Sequence, residues 1–437
     1  MNGYIISLGC CKNLVDSEQI CGLLASGGVK FVSRPSLADF ILINTCGFIE
    51  SAKKEAIETI LDIADYKNRK DMKLIVTGCL AQRYLDDLKH DMPEVDRFIS
   101  IDEYKDLAKI FNEVLGLNIT QTYGKNVRMR SNNPWMAYLK LGDGCDNRCA
   151  YCAIPLIRGP YHSFAMEDLV AEATRLAKDG VKELVLIAQD TTRYGTDYEN
   201  RPRLLKELLK QLQTIDELKW IRILYMYPDE IDEALLDTMA SCDKVIPYFD
   251  IPMQHGNDRM LKIMNRRGSV QDCKDLVAMI RSKFANPILR TTMIVGFPSE
   301  TEDEFNDLLD FIRDVKWDHL GAFTYSDEED TLAFEMDGKI EQEVMDDRLN
   351  RLMEVQYEVF QEKVNAMIGT TMEVLVEKHD GLTKLYYGRA KYNAPDDVDG
   401  NIVFSSECPI SLGDFVTVKI KRNKGFDLIA EVVKEGE

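Results

Sequence analysis

The sequence lacks long hydrophobic segments and has too few basic residues to balance its acidic ones. No apolar run reaches ~18 residues, the length needed to cross a membrane, and no basic and then apolar leader stands at its start. We therefore expect a soluble, cytoplasmic protein with no membrane partner. The 54 Lys and Arg residues against 74 Asp and Glu residues give a net charge of −20. This charge disfavours non-specific binding to a nucleic-acid backbone and allows attraction to a basic partner.

Length and composition predict an ordinary globular enzyme with more than one core. The chain has 437 residues, of which 45% are hydrophobic and 9% aromatic, and this length suggests two to four domains. No repeat is evident at the periods of about 20 to 50 residues that solenoids use. The 11 cysteines are unusually many. In a reducing compartment we expect them to be metal ligands or buried thiols rather than disulfides.

The first part of the chain alternates buried strands with amphipathic helices. The predicted strands are 4–8, 40–44, 74–77 and 98–100, and the predicted helices include 53–65 and 103–115. Such a βαβ series predicts a parallel sheet with helices on both faces. We place this domain at 1–117 and a linker without periodicity at 118–134.

A longer alternation follows in residues 135–367. Its predicted strands are 137–141, 183–188, 220–224, 248–251, 289–295 and 320–325, with helices such as 167–178, 202–212 and 302–315 between them. Six βα units are too few for a complete eight-stranded barrel, so the pattern predicts an open or partial one. A charged helix at 341–364 leads out of it.

The pattern changes again in residues 368–437, to short alternating runs separated by turns such as Asp399-Gly400 and Lys424-Gly425. About five antiparallel strands in this length predict a small β-barrel of the oligonucleotide-binding type. The predicted fold class is therefore a multidomain α/β protein. It has a parallel α/β sheet domain, a central partial βα barrel and a C-terminal small antiparallel β-barrel.

Three cysteines, Cys145, Cys149 and Cys152, lie on one loop after the first strand of the second domain. A structural zinc site closes with four ligands, and His162, the next candidate, is ten residues beyond Cys152. Three thiols instead suit a 4Fe-4S cluster with one iron left open. The CxxxCxxC spacing resembles that of the radical S-adenosylmethionine enzymes. There the open iron chelates S-adenosylmethionine, which one electron cleaves to a 5′-deoxyadenosyl radical. Three buried or zinc-bound cysteines are the alternative.

A second set of cysteines, Cys10, Cys46 and Cys79, follows predicted strands of the first domain. In an open parallel sheet the carboxyl ends of the strands lie together, and ligands bind there. We therefore expect these thiols to converge and to hold a second cluster, with three independent core cysteines as the alternative. Cys11 points elsewhere if Cys10 points inward. The remaining cysteines are predicted to be buried packing thiols: Cys21, Cys242, Cys273 and Cys408.

Five segments, all within residues 7–195, carry a resemblance to the methylthiotransferase family that extends over essentially the whole chain. They are SLGCCKNLVDSE (7–18), NTCGFIESAKKE (44–55), TGCLAQRY (77–84), GCDNRCAYCAIPLIRG (144–159) and AQDTTRYG (188–195). The match is to the RimO type, which modifies an aspartate of ribosomal small-subunit protein twelve. The tRNA-modifying MiaB type usually has a different loop around the first cysteine. The resemblance implies a methylthiotransferase domain, a radical-SAM partial barrel and a C-terminal TRAM domain.

This sequence departs from the RimO pattern at two positions. Cys11 stands where the pattern usually has proline, which leaves open which of two adjacent thiols binds iron, although the alignment selects Cys10. Ala150 replaces a more usual hydroxyl residue on a loop whose ligands are intact.

Residues expected to bind S-adenosylmethionine lie near the first cysteine set and at strand ends. Tyr151 precedes the last cysteine, where the superfamily packs an aromatic ring near the adenine. Ile294 and Gly296 belong to a segment that resembles the superfamily's adenine site, with a plain strand and turn as the alternative. Arg290 matches a methionyl carboxylate bidentately. Gln189 and Asp190 are placed at the ammonium or ribose. Gln254 and His255 end another strand at the same rim, although a lone histidine is more often merely hydrogen-bonded.

The resemblance also implies the reaction and the partners. One S-adenosylmethionine yields the radical that removes hydrogen from the aspartate β-carbon, sulfur is delivered at the second cluster, and another S-adenosylmethionine gives the methyl group. A low-potential donor of the flavodoxin or ferredoxin type supplies electrons, and the enzyme is expected to be a monomer. The alternatives are a tRNA methylthiotransferase of the MiaB type and a non-catalytic iron–sulfur or zinc protein.

The charge of the third domain bears on the choice between these substrates. From Gly369 to the end, 9 basic and 12 acidic residues give 9 − 12 = −3, whereas a tRNA-binding barrel is expected to carry a basic face. The acidic sign favours a basic ribosomal protein over tRNA. A local basic patch remains, formed by Lys419, Lys421, Arg422 and Lys424, with a solvated strand edge as its alternative.

Overall fold

The structure is a computed structural model that describes residues 1–67, 72–124, 127–130 and 133–433. Within these ranges, no helix combines the length and the apolar character needed to span a bilayer. The described part of the predicted linker contains neither helix nor strand, and residues 125–126 and 131–132 of it lie outside the described ranges. Arg128 in this segment is buried and pairs with Glu18 and Glu172, so the segment is packed against both flanking domains.

The first domain is a parallel five-stranded sheet with strand order β2-β1-β3-β4-β5, as predicted. Its strands are β1 (Asn2–Ser7), β2 (Lys30–Phe31), β3 (Phe40–Thr45), β4 (Lys73–Gly78) and β5 (Arg97–Ile99). Its helices are α1 (Cys11–Ser26), α2 (Glu50–Lys67), α3 (Cys79–Arg83), α4 (Leu85–Asp91) and α5 (Leu107–Leu115). β3 lies at the centre of the sheet and is buried at every position, as expected for a parallel strand covered on both faces.

The second domain is an open, partial barrel of parallel strands. Its strands are β6 (Met136–Lys140), β7 (Gly142–Asp143), β8 (His162–Ser163), β9 (Glu183–Ile187), β10 (Trp220–Ile223), β11 (Tyr248–Asp250), β12 (Ile288–Val295) and β13 (His319–Thr324). Two three-stranded sheets, β10-β9-β6 and β11-β12-β13, are joined by a bridge between Ile221 and Val245. The six predicted strands are thus confirmed, and β7 and β8 form an additional short antiparallel pair.

The helices of this domain cover the outside of the strands. They are α6 (Ile154–Arg158), α7 (Met166–Lys178), α8 (Leu205–Leu212), α9 (Glu233–Ser241), α10 (Asp258–Ile263), α11 (Val270–Lys283), α12 (Glu302–Val315) and α13 (Gln342–Met367). α12 begins at a capping box in which Thr301 and Glu304 satisfy each other's backbone N–H groups. Leucines and isoleucines of α7, α8 and α12 pack on the outer faces of β6, β9 and β12 in one continuous core.

The third domain is a closed five-stranded barrel with strand order β14-β15-β16-β18-β17. The strands are β14 (Thr371–His379), β15 (Tyr386–Arg389), β16 (Ile402–Ser405), β17 (Phe415–Lys424) and β18 (Asp427–Val432). The barrel is not wholly antiparallel as predicted, because β16 pairs with β18 in parallel. β17 pairs with β14 through Phe415–Lys419 and with β18 through Val418–Lys424. Lys419 is thus flanked by both strands, whereas Lys421, Arg422 and Lys424 lie beyond the residues that pair with β14, in agreement with the strand-edge interpretation.

The buried-thiol prediction holds for three of the four isolated cysteines. Cys21, Cys242 and Cys273 are buried, whereas Cys408 is exposed. Cys408 follows β16 in a turn, where its apolar neighbours in sequence do not surround it in space.

A buried charge network joins the third domain to the second. Arg389 donates to Glu183 Oε2 at 2.6 Å, and Arg222 donates to Glu183 Oε1 at 2.8 Å. All three side chains are almost inaccessible to solvent. Burial opposes ionisation of Glu183, but the two guanidinium groups outweigh it and hold the pKa of this carboxyl below its usual value. The two domains are therefore joined by a shared carboxylate rather than by apolar contact alone.

The 390–400 loop of the third domain enters the partial barrel at the amino-terminal half of its strands. Tyr248 donates to Asp399 Oδ2 at 2.6 Å, and a ring nitrogen of His319 lies 2.8 Å from the carbonyl oxygen of Tyr392. Ala390, Tyr392 and Ala394 pack with Tyr248 and other inward-facing side chains in one hydrophobic cluster. The loop thereby forms the floor of the barrel interior.

Glu183→Gln is expected to destabilise the protein by about 3–5 kcal/mol near pH 7, because it leaves two buried guanidinium groups without their shared carboxylate. The pKa of Glu183 is lowered on folding, so its stabilisation is complete above the ordinary value of 4.5 and is lost as the pH falls below it. The difference in unfolding free energy between wild type and variant should therefore become smaller at acid pH. Thermal unfolding at neutral and acid pH measures both effects.

Glu373→Gln is the matched control, because Glu373 also joins the two domains. It accepts from Lys219 at 2.5 Å, but both side chains are 41% exposed. Its loss is expected to cost less than about 1 kcal/mol. Equal losses in the two variants would contradict the role given to Glu183.

Candidate functional site

The loop that carries Cys145, Cys149 and Cys152 runs from β7 to α6 and is fixed by backbone hydrogen bonds. The N–H of Cys145 donates to the Gly159 carbonyl at 3.1 Å, and that of Cys152 donates to the Cys149 carbonyl at 3.1 Å. Ala150 donates to the Met264 carbonyl at 2.9 Å. These bonds anchor the loop, and with it the three thiols, to the end of α6 on one side and to the end of α10 on the other.

Burial and mutual proximity disfavour free ionisation of these thiols. Burial raises the pKa of Cys145 to about 11, with smaller contributions from Asp190 and Cys149. Burial also raises the pKa of Cys152, and the neighbouring Cys149 adds to it. Thiols that resist ionisation beside one another become thiolates when a cation binds them. Arg266 supplies one fixed positive charge, since its Nη1 lies 3.6 Å from Cys149 Sγ.

The second set of cysteines lies at the carboxyl edge of the parallel sheet, as predicted. Cys46 follows β3, Cys79 begins α3 directly after β4, and Cys10 is the residue before α1. Burial raises the pKa of Cys46 to about 11, and the proximity of Cys79 and Cys10 adds to this rise. The structure therefore brings these three thiols together.

Glycines make this close approach possible. Gly9 has φ +85°, and a Cβ there would lie 2.6 Å from Cys46 Cβ. Gly78 has φ +97°, and a Cβ there would lie 2.3 Å from Asn44 Oδ1. Both conformations favour glycine. Each glycine directly precedes one of the cysteines, Cys10 or Cys79.

Arg158 connects the second set of cysteines to the second domain. Its Nη2 donates to Asn13 Oδ1 at 2.5 Å and lies 3.6 Å from Cys79 Sγ. Its Nη1 pairs with Asp16 at 2.7 Å and with Asp143 at 3.0 Å. Arg158 and Asp16 are nearly inaccessible to solvent, so this network fixes α1 of the first domain against the loop of the second.

Cys11 faces away from the second set. Its Sγ lies 3.4 Å from the Tyr225 hydroxyl, and burial raises the pKa of its thiol. The structure therefore places Cys11 against the partial barrel, in agreement with the expectation that it points elsewhere if Cys10 points inward.

The two sets of cysteines are neighbours. Cys79 packs with Ala153, the residue after Cys152, and with Ile157 of α6 in one small buried cluster. The chain after β10 contacts the first set, since the Tyr227 hydroxyl lies 3.9 Å from Cys149 Sγ, and its Tyr225 hydroxyl contacts Cys11, the neighbour of Cys10 in sequence. The two sets thus face a common region between the domains.

Neither set has the geometry of a mononuclear metal site. In the described ranges, no group of three or more His, Cys, Asp or Glu side chains converges to hold a single ion. In a cuboidal cluster each thiolate binds a different iron, so the thiols need not meet at one point. Each set offers three cysteines and a nearby arginine, which fits such a group. Cys46, Cys79 and Cys145 are buried, Cys149 and Cys152 are half-buried, and Cys10 is exposed.

The residues expected to bind S-adenosylmethionine do not all face one space. A cavity of about 990 Å³ is lined by Tyr151 and Ile294, and by Phe48 and Ile49, which follow Cys46 closely in the chain. Gln254 also lines it. This cavity therefore lies between the two domains, with residues near both cysteine sets in its wall.

Other predicted contacts already have protein partners. Arg290 donates to Asp250 at 2.9 Å and lies 3.6 Å from Asp399 of the 390–400 loop. Asp190 is buried and accepts hydrogen bonds from Asn147 at 2.7 Å and Thr192 at 2.6 Å. The guanidinium predicted for a methionyl carboxylate is thus held by two carboxylates of the protein.

The remaining predicted residues have mixed environments. Gln189 donates to Asp143 at 3.2 Å, while its Oε1 is buried without a partner. The Gly296 N–H donates to Glu300, and a Cβ at Gly296 would meet the Met345 side chain. His255 is fully buried and accepts from the Asn257 N–H at 3.1 Å, while its Nε2 has no hydrogen-bond partner in the described part of the chain and lies 3.9 Å from Glu300.

Comparison with known proteins covers the whole chain. The family described as Uncharacterized protein family UPF0004 matches residues 2–100, the Radical SAM superfamily matches 139–312, and the TRAM domain matches 368–433. A relative from Acetivibrio thermocellus, named "Ribosomal protein uS12 methylthiotransferase RimO", is 44% identical over 99% of this chain and 98% of its own length. A protein of the same name from Alkaliphilus oremlandii is 44% identical over 100% of both chains.

The chain belongs to the RimO family of methylthiotransferases. As a member of the RimO family it is an enzyme, a transferase of the radical-SAM class. The Radical SAM match implies S-adenosylmethionine and a 4Fe-4S cluster.

Solved structures share the fold. A radical S-adenosylmethionine methyltransferase, TsrM from Kitasatospora setae, solved with tryptophan and a S-adenosylmethionine analogue bound, aligns with a TM-score of 0.54 at 13% identity, over 74% of this chain and 72% of that chain. The cobalamin-dependent enzyme OxsB aligns with a TM-score of 0.51 at 14% identity, over 81% of this chain and 56% of that chain. These likenesses show the fold alone.

In this member of the RimO family, four residues around the cysteines were not predicted from the sequence. They are Arg158, Arg266, Tyr225 and Tyr227. Arg158 lies inside the segment 144–159 that carries the family resemblance, and the tyrosines follow β10 at its carboxyl end, where ligands bind in α/β sheets. No local pattern marks Arg266, because α10 and the loop after it bring it to Cys149 only in the folded chain.

Gly9→Ala is expected to displace Cys46 and so to reduce the iron content of the reconstituted protein. The added Cβ would lie 2.6 Å from Cys46 Cβ, and alanine disfavours the positive φ. Iron per chain after anaerobic reconstitution measures the effect. Gly28→Ala is the control, because Gly28 also has a positive φ but no atom within 4 Å of the place that an added methyl group would take. Full iron loading of Gly9→Ala would contradict the expectation.

Proposed function

We propose that this enzyme transfers a methylthio group to the β-carbon of an aspartate residue in ribosomal protein uS12. Relatives that match the chain from end to end are named for that substrate. The net charge of −20 suits a basic ribosomal protein. The substrate's C–H bond is not acidic, so its removal requires a radical rather than a side-chain base.

We infer that the chain binds two 4Fe-4S clusters and uses two S-adenosylmethionine molecules in each turnover. Cys145, Cys149 and Cys152 would hold one cluster, and Cys10, Cys46 and Cys79 the other. When bound, these groups supply the electron that cleaves S-adenosylmethionine and the site at which sulfur is delivered. A protein of the flavodoxin or ferredoxin type is proposed as the electron donor.

The observation that carries this proposal is the adjacency of the two cysteine sets. Cys79 packs against Ala153, next to Cys152, and the interdomain cavity is lined by Phe48 on one side and Tyr151 on the other. A carbon in this region is within reach of both sets. A single cluster would need neither the second set of thiols nor its buried arginine.

The protein's own side chains orient the reactants and exclude water. Tyr151 and Ile294 give the cavity an apolar wall suited to an adenine ring. Arg266 lies 3.9 Å from the Tyr227 ring centroid as well as beside Cys149, so it fixes that tyrosine at the first set. Arg158 lies in the corresponding position beside Cys79 of the second set. Both arginines stabilise thiolate charge in a place that water barely reaches.

Product analysis tests the proposal. The reconstituted enzyme is incubated anaerobically with S-adenosylmethionine, reductant, and either uS12 or bulk tRNA. Mass spectrometry of uS12 is expected to show one methylthio group on an aspartate, and the tRNA nucleosides are expected to be unchanged. Iron analysis is expected to give about eight irons per chain. Modification of tRNA alone would refute the proposal, and bound zinc or inert clusters would refute the enzyme's mechanism.

A further inference from the structure

Lys12 is a buried cation without a carboxylate partner. It lies on α1, two residues after Cys10, and is 7% exposed. In the described part of the chain, its contact is the face of the Tyr225 ring, whose centroid is 3.0 Å from Nζ. No described carboxylate forms an ion pair with it. Nearby buried cations differ in this respect.

Three other cations of this region, by contrast, are paired with carboxylates. Lys140 pairs with Asp16 and Asp143, and Arg158 pairs with the same two carboxylates. Lys53, also buried, pairs with Glu50 and Glu328. A buried ammonium without an anion is costly, and a cation–π contact offsets only part of that cost. An anion of the bound substrate, paired with the Lys12 ammonium, would offset the rest of this cost.

Lys12 lies near both sets of cysteines. It is two residues after Cys10 of the second set, and it contacts Tyr225, whose loop also carries Tyr227 beside Cys149 of the first set. A carbon that loses hydrogen at one set and gains sulfur at the other lies between them. In an aspartate the carboxylate is bonded directly to that carbon.

We propose that Lys12 binds the side-chain carboxylate of the substrate aspartate and thereby selects a carboxylate-bearing residue for modification. This inference rests on the proposed function, and it deepens that function by assigning the group that recognises the target side chain. Tyr225 holds the ammonium in place from the barrel side. Its own backbone is held by a hydrogen bond from its N–H to Asp250 at 2.9 Å.

Binding of two substrate forms tests the proposal. Fluorescently labelled uS12 and its variant with asparagine at the target position are titrated into the reconstituted enzyme with S-adenosylmethionine and no reductant. The wild type is expected to bind the aspartate form about 10- to 100-fold more tightly, as for a charge-assisted hydrogen bond. In Lys12→Met this ratio is expected to fall to nearly one, and Lys12→Arg should restore part of it. Lys12→Met is also expected to bind the asparagine form as tightly as the wild type does, which distinguishes loss of carboxylate recognition from a general loss of folding or loading.

Lys109→Met is the control, because Lys109 is 76% exposed on the same domain, and it should keep the wild-type ratio. An unchanged ratio in Lys12→Met would overturn the proposal. So would a shifted reduction potential of the first-domain cluster with the ratio intact, since Lys12 would then act on the thiolates instead. Failure of the proposed function is seen separately, as wild-type enzyme that leaves uS12 unmodified in the product assay.

Discussion

A Cys152→Ala protein is expected to cleave no S-adenosylmethionine above the level of a protein-free control. Cys152 is half-buried beside Cys149 and Cys145, and a cluster with two remaining thiolates would lack the ligand set that leaves a single iron open. The iron content should fall from about eight to about four per chain, because the first-domain set is untouched. Formation of 5′-deoxyadenosine under reducing conditions is the measurement.

Cys273→Ala provides the matched control for this experiment. Cys273 is 1% exposed in α11 and belongs to the hydrophobic core rather than to either set. Its truncation removes one buried sulfur and should cost about 1 kcal/mol of stability, without changing cleavage. Retained cleavage in Cys152→Ala would remove this loop from the proposed chemistry.

Cys46→Ala is expected to separate the two halves of the reaction. The variant should still cleave S-adenosylmethionine, because the second-domain loop is intact, but it should form no methylthiolated uS12, because the thiol set at the sheet edge is incomplete. Parallel assays of 5′-deoxyadenosine and of modified uS12 on one sample measure the separation.

The control for Cys46 is Cys21→Ala in the same domain. Cys21 is buried in α1, so it matches Cys46 in burial but lies outside the set. Normal methylthiolation by Cys46→Ala would show that the first-domain cysteines hold no functional cluster, and the assignment of Cys10 and Cys79 would fail with it.

Local sequence patterns were sufficient where one short segment decides its own structure. The buried run that forms β3 and the helical stretch that forms α12 were predicted to within one residue at most. The parallel pairing of β16 with β18 was not predicted, because it depends on closure of the whole barrel.

The candidate site was predictable to the extent that topology alone places residues. Cysteines after parallel strands meet at one edge, which the structure shows for Cys10, Cys46 and Cys79. The partners of Arg290 were not predictable, since Asp399 arrives from a loop over 100 residues later in the chain. The isolation of Lys12 from carboxylates likewise emerges only when three domains are assembled.

The 390–400 loop has a consequence for how this enzyme can be divided or recombined. The loop supplies the floor of the partial barrel, and two of its residues contact Tyr248 and His319. A fragment that ends after α13 would lack this floor, so Asp250 and Arg290 would be exposed to solvent. A chimera that exchanges the C-terminal β-barrel between relatives should therefore take the 390–400 loop from the relative that supplies the partial barrel. It should not take the loop from the relative that supplies the strands of the C-terminal barrel.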